Sequence, residues 1–256
     1  VAEYTITRPF TTWCEAGRNC KKYGTDECCD PCPRQRDYFW LLDNSNLPEN
    51  YKFPQKLINY RDEGDFEKYL SFNEYIKTET ENFVNAGLTM FLCGPDSETM
   101  SIMAAKFMRY YMHEIAYGNN FRNACWYVNV PKYFSKVQKK IFGDSYNSDP
   151  ELILHRKMLE TCPLVLWDNF SYLITCNKNI ILDDIWGILC ERTVQGYSNL
   201  IVSKASYSLL VERHMELENC LYNSRIVQTT MQDTLFFENK QIDSTIKQVE
   251  EFKFVD

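Results

Sequence analysis

The chain has 256 residues, of which 45% are hydrophobic and 25% charged, and its formal net charge is -7. That length suits one large domain with a smaller attachment, and the composition is ordinary for a globular protein. The acidic balance argues against a broadly nucleic-acid-binding surface without excluding a local basic patch. No run of about 18 apolar residues is present, so a membrane span is not expected.

The first residues, VAEYTITRPF, lack the apolar centre of an export signal, and a cytoplasmic protein is expected. Of the eleven cysteines, five crowd the segment CEAGRNCKKYGTDECCDPC with spacing C-x5-C-x7-C-C-x2-C. Four thiolates can close a tetrahedral zinc site. Cys14 and Cys20 supply one pair and Cys29 with Cys32 the other, with Cys28 as the alternative to Cys29. A short segment rich in turns has little core of its own, so a bound metal is the expected source of its stability. With no open position among the ligands, the zinc is structural. The plain alternative is a group of free or disulfide-linked cysteines. The other six cysteines lie in apolar segments, as reduced core residues do.

Residues 1–45 are thus expected to be a zinc-binding N-terminal domain, and 46–85 a connector. The connector is turn-rich at first. A helix follows, on which Phe66, Leu70, Phe72, Tyr75 and Ile76 are expected to share a face. From 86 to 256 apolar runs alternate with helical patterns. Strand-like runs cover 88–94, 124–130, 163–170, 199–205 and 225–231; helices are expected near 98–117, 132–142, 150–161 and 181–195. Continuous apolar strands separated by helices indicate an α/β fold, a parallel sheet covered on both faces. Ligands of such sheets sit at the carboxyl ends of the strands. Gly94, Asp168 and Ser203 all fall there.

GPDSETMS (94–101) has the outline of a phosphate-binding loop, whose working form reads G-x-x-x-x-G-K-[ST]. Gly94, with Pro95 after it, and the final Ser101 remain. The second glycine is Thr99, and the lysine that would hold phosphate is Met100; Asp96 and Glu98 add negative charge. PLVLWDNF is an apolar strand ending in Asp168, as does a strand that holds magnesium through water. Asn169 stands where a second acid would orient the attacking water, and an amide cannot act as a base. Ser203 or Lys204 ends the next strand, where a residue sensing the terminal phosphate would lie. Arg225 follows in LYNSRIV, either as an arginine reaching a neighbouring subunit or as a surface ion-pair partner. In PKYFSKVQKK, Lys132, Lys136, Lys139 and Lys140 share one helical face. That face is either a phosphate-backbone contact or the solvated side of an amphipathic helix.

FLCGP, PLVLWDNF, ERTVQGYSNLIVSKAS and NSRI follow one another as in the AAA+ helicase loaders of bacteria and their phages, the DnaC/DnaI type, and the chain resembles that family. The phrase YFWLLDNSNLP after the cysteine cluster is similar to the YLL-x-N-S-N-[IL]-P phrase of phage loaders. The resemblance implies an AAA+ fold and a DNA-replication role. It implies a replicative helicase as partner, an active AAA+ loader paralogue as a further partner, and single-stranded DNA near the lysine face. Gly94, Pro95, Met100, Ser101 and Ser203 would face nucleotide, Asp168 and Asn169 its magnesium and water, and Arg225 a neighbour's phosphates. The altered motifs imply that ATP or ADP binding is weak or absent and that the chain is a loader-like adaptor with hydrolysis lost. Two other readings stay open: an ATPase completed in trans by a neighbour, and a decoy inhibitor of a host helicase or loader.

Overall fold

The computed structural model describes residues 33–95, 97–117, 125–141, 149–176, 179–221, 226–231 and 236–238. In chain order these form α1 (Pro33–Asp43), a 3-10 turn (Glu49–Tyr51), β1 (Lys56–Asn59), α2 (Glu63–Asn85), β2 (Thr89–Cys93), α3 (Ser97–Tyr117), β3 (Cys125–Asn129), α4 (Val130–Ile141) and α5 (Pro150–Thr161). Then come β4 (Leu164–Asp168), a 3-10 segment (Phe170–Thr175), α6 (Asn179–Val194), β5 (Ser198–Ser203), α7 (Tyr207–Arg213), α8 (Met215–Leu221), β6 (Ile226–Thr230) and β7 (Phe236–Glu238).

Five strands make one parallel sheet in the order β3-β4-β5-β2-β6. The sheet is parallel because its successive strands are joined through helices that carry the chain back to the end from which each strand starts. β2, β4 and β5 are buried at every position, which explains their unbroken apolar runs. Successive side chains still alternate between two cores. Met90, Leu92, Leu164, Leu166, Leu200 and Val202 face α1, α2 and α3. Phe91, Val165, Trp167 and Ile201 face α4 to α8. Each such fully enclosed side chain contributes about 1.5–3 kcal/mol.

The helix over 63–85 starts at Asp62, whose side chain accepts a hydrogen bond from the Asp65 N–H at 2.8 Å. Its buried face is Tyr69, Phe72, Ile76 and Phe83, while Leu70 is 46% exposed. Phe66 and Tyr75 pack partly buried against the same core, so of the expected face only Leu70, two residues from Phe72, points away.

α2 and α6 end alike. Leu88 N–H donates to the Phe83 carbonyl and Gly87 N–H to that of Val84; Tyr197 N–H donates to Arg192 and Gly196 N–H to Thr193. Both are Schellman turns with glycine at positive φ, +63° and +71°. The two turns touch, because the strands they feed, β2 and β5, are neighbours. A Cβ on Gly87 would lie 2.7 Å from the Gly196 carbonyl oxygen.

Two features were not foreseen from the sequence. The first is α1: Tyr38, Leu41, Leu42 and, beyond the helix, Leu47 join Phe72, Ile76 and Phe107 in one core. The hydrophobic half of YFWLLDNSNLP is therefore packed against α3, and a single core runs across residues 45/46 and 85/86. The polar half covers the sheet edge. Tyr127 N–H, on edge strand β3, donates to the Ser45 carbonyl at 2.8 Å, and Asn46 Nδ2 donates to the Tyr127 carbonyl at 2.8 Å. Backbone groups that an open edge would offer to another chain are thereby used. The second is an antiparallel pairing of β1 with β7, far apart in sequence.

Candidate functional site

At the carboxyl end of the sheet β2 leads through Gly94 into α3. Gly94 N–H donates to the Ser203 carbonyl at 3.1 Å, so the first and third of the expected strand ends are in contact. The second, Asp168, is reached from α3: Ser101 Oγ donates to Asp168 Oδ1 at 2.5 Å. The sequence-predicted residues Gly94, Ser101, Asp168 and Ser203 thus converge.

Their chemistry differs from that of an open phosphate site. Asp168 is 3% exposed, and both its oxygens are occupied. Oδ1 accepts from Ser101 Oγ and from Asn169 N–H at 2.9 Å; Oδ2 accepts from Tyr127 OH at 2.6 Å and from Asn169 Nδ2 at 3.2 Å. Four donors match the four lone-pair sites of a carboxylate. Asn169 makes its two bonds from a left-handed backbone, φ 57°, which asparagine tolerates better than most residues. Its amide thus holds the carboxylate. Burial, and then the Asp168 charge, push the Tyr127 phenol well above its ordinary range, so it remains a donor. Tyr127 was missed from the sequence because it sits two residues before the end of β3 and opposite Leu166, not Asp168.

Met100, in the position of the phosphate lysine, is fully buried and belongs to the core beneath α3. A Cβ placed on Gly94 would be 3.5 Å from three atoms of its side chain. Pro95 and Glu98 are exposed, and Thr99 is buried. Asp96 lies outside the described residues. Ser203 is buried, and its hydroxyl accepts from Ala205 N–H at 3.0 Å, while Lys204 is exposed.

A cleft of about 410 Å³ opens beside β3, lined by Asn46, Tyr127, Asn129, Lys132, Lys136 and His155 among others. Lys132 and Lys136 are exposed on the same side of α4, opposite buried Tyr133 and Val137. Lys136 Nζ is paired with Glu151. Burial pushes the His155 imidazole below its ordinary value, and its Nδ1 accepts from Trp126 Nε1 at 3.3 Å. Lys139 and Lys140 are on the last turn of α4, but their side chains lie outside the described residues, as do Arg225 and Cys14, Cys20, Cys28, Cys29 and Cys32. Among the described residues no group of three or more histidines, cysteines or acids could hold a metal ion. Among them, too, no helix is long and apolar enough to cross a membrane.

No protein-family model matches the sequence, and no curated protein matches it. Solved structures do match. Domain III of the Thermotoga maritima replication initiation protein DnaA aligns with TM-score 0.50 at 14% identity, over 73% of this chain and 70% of that one. The DnaC helicase loader aligns with TM-score 0.48 at 10% identity, over 71% and 99% of the two chains. DnaI gives TM-score 0.49 at 12% identity, over 71% and 94%. The likeness to the DnaA domain is one of fold: a parallel sheet between two helical layers.

Proposed function

We propose that the chain is a helicase-loader-like adaptor of DNA replication whose own nucleotide site neither binds ATP tightly nor hydrolyses it. The closed state of Asp168 carries this reading. A carboxylate that holds magnesium needs a lone pair directed at the metal or at its water. Here all four are directed at protein donors. Met100 adds a second reason: it replaces a charge-assisted contact worth about 1.5–3 kcal/mol with an apolar side chain packed over the loop. No base stands at 169.

The loader role rests on the sequence resemblance, with the AAA+ fold in keeping with it. In this reading the chain binds a replicative helicase and AAA+ partners, among them an active loader paralogue. Cys14, Cys20, Cys29 and Cys32 hold a structural zinc, and Arg225 serves the ATP of a neighbouring subunit in trans. Lys132, Lys136, Lys139 and Lys140 form the face offered to single-stranded DNA.

Calorimetric titration with ATP and magnesium tests the site: the expected result is no binding in the micromolar range, and micromolar affinity overturns the proposal. Affinity capture with a replicative helicase tests the role. A stable complex is expected, and its absence from a mixture of the purified proteins removes the helicase as partner. One zinc per chain is expected by elemental analysis of protein purified under reducing conditions; metal-free, folded protein removes the zinc site.

A further inference from the structure

Cys190 on α6 and Cys220 on α8 lie in the core between those two packed helices. Their sulfurs are 2.6 Å apart, with the Cys190 thiol donating to the Cys220 sulfur. Both are free cysteines. The Cys220 thiol donates in turn to the Trp186 carbonyl at 3.3 Å. The two residues differ in access. Cys190 is half-buried, whereas Cys220 is 5% exposed. A polar cleft of about 440 Å³, lined by Trp186, Arg213, His214 and Glu216 among others, opens on the same pair of helices. Cys93, Cys125 and Cys162 are enclosed in the sheet core, at most 3% exposed.

We propose that Cys190 and Cys220 form an oxidisable dithiol that reacts with hydrogen peroxide and closes to a disulfide joining α6 to α8. Cys190, the accessible thiol, reacts first. It loses its proton, its sulfur attacks one peroxide oxygen, and the O–O bond breaks; hydroxide leaves and takes up a proton as water. Cys190 is then a sulfenic acid. The Cys220 sulfur, already in contact, attacks the Cys190 sulfur, the S–O bond breaks, and the hydroxyl leaves with the Cys220 proton as a second water. The two sulfurs together lose two electrons, which peroxide gains. Burial pushes the Cys220 thiol up to about 12, which suits it to this second, contact-driven step and not to the first. The bond closes a loop of 30 residues that contains β5 and α7, and it tethers α8, the last helix before β6.

The test is peptide mapping of the full chain. Protein is treated with a small excess of hydrogen peroxide, its remaining thiols are alkylated, and the digest is read by mass spectrometry without reduction. The expected product is a peptide pair joined through Cys190 and Cys220, lost on reduction and lost in Cys190→Ser. Recovery of both cysteines as alkylated thiols, as sulfinic acids, or joined to other cysteines overturns the proposal. The cysteine-rich N-terminal segment does not confuse the result, because the reading is of one identified pair.

Discussion

The two ends of the sheet each bury one charge, and they solve the same problem with opposite signs. At the carboxyl end Asp168 is held by four uncharged donors. At the amino end Arg192, which is wholly buried, is held by four uncharged acceptors. Its Nε donates to Asn199 Oδ1 at 2.8 Å, Nη1 to the Leu159 and Cys162 carbonyls at 2.6 and 2.9 Å, and Nη2 to the Ser198 carbonyl at 2.5 Å. Burial pushes the guanidinium below its ordinary value, and no carboxylate opposes the shift. A buried ion without a counter-ion costs several kcal/mol unless fixed dipoles surround it. Both ends meet that condition. The difference lies in what the sequence pattern suggests: only the carboxyl end carries the outline of a nucleotide site. There the four donors around Asp168 form a structural cluster of the same kind as the four acceptors around Arg192.

Arg192→Ala removes the charge at the amino end and is expected to have the largest effect. It leaves the Leu159, Cys162 and Ser198 carbonyls without the guanidinium in a dry interior and Asn199 Oδ1 with only Trp167 Nε1, and destabilisation of about 1–3 kcal/mol for each acceptor left unsatisfied is expected. Urea unfolding followed by circular dichroism measures it. A loss under about 1 kcal/mol would mean that water replaces the guanidinium and that this end is not closed.

Met100→Lys tests the opposite end more severely than any deletion. It restores the phosphate lysine in name, but at a fully buried position over Gly94. The unpaired ammonium is expected to cost about 3 kcal/mol, and ATP hydrolysis is not expected to appear. Asp168 is still saturated and 169 is still an amide. Wild-type stability together with measurable turnover in this variant contradicts both the burial argument and the proposed function.

The order of elements was legible in the sequence because parallel strands covered on both faces must be continuously apolar, and five such runs stand between helical patterns. The convergence of Gly94, Asp168 and Ser203 was legible for the same reason, since strand ends are positions that topology alone fixes. What closes the site was not. Tyr127 reads as one more aromatic residue in CWYVN, and its reach to Asp168 depends on where β3 lies beside β4. Arg192 reads as a charge near the end of a helix, where arginine is commonly solvated. Its role needs Asn199 and the carbonyls at 159 and 162, brought together only by packing. α1 is not marked as a core helix because its apolar residues, Tyr38 to Leu42, form one unbroken run rather than a stripe at helical spacing.

Gly87→Ala probes the amino end without touching a charge. The new Cβ would meet the Gly196 carbonyl oxygen at 2.7 Å, and the backbone is at φ +63°. Strain of about 2 kcal/mol is expected from the left-handed conformation and the contact together. Gly196→Ala has the same backbone penalty but nothing within 4 Å of its Cβ, so it should cost less. Thermal unfolding of the two variants side by side separates conformational strain from collision; equal losses would assign all of it to the backbone.

Tyr127→Phe has the smallest expected effect and the sharpest consequence. It removes one of the four donors from Asp168 and changes nothing else in shape. A hydrogen bond to a charged group contributes about 1.5–3 kcal/mol, and with three donors left the loss should fall near the lower figure. If the carboxyl end is closed as the amino end is, the variant is simply less stable, and magnesium leaves its melting midpoint unchanged, as it does that of the wild type. If magnesium raises the midpoint of Tyr127→Phe but not of the wild type, the phenol is a plug in a cation site. The two ends of the sheet are then not equivalent, because Asp168 has kept an affinity that Tyr127 masks. Isothermal titration of both proteins with magnesium, alone and with ATP, decides between these outcomes. Binding of magnesium without ATP would place the remaining loss at Met100, and binding of neither would leave Asp168 as a structural residue.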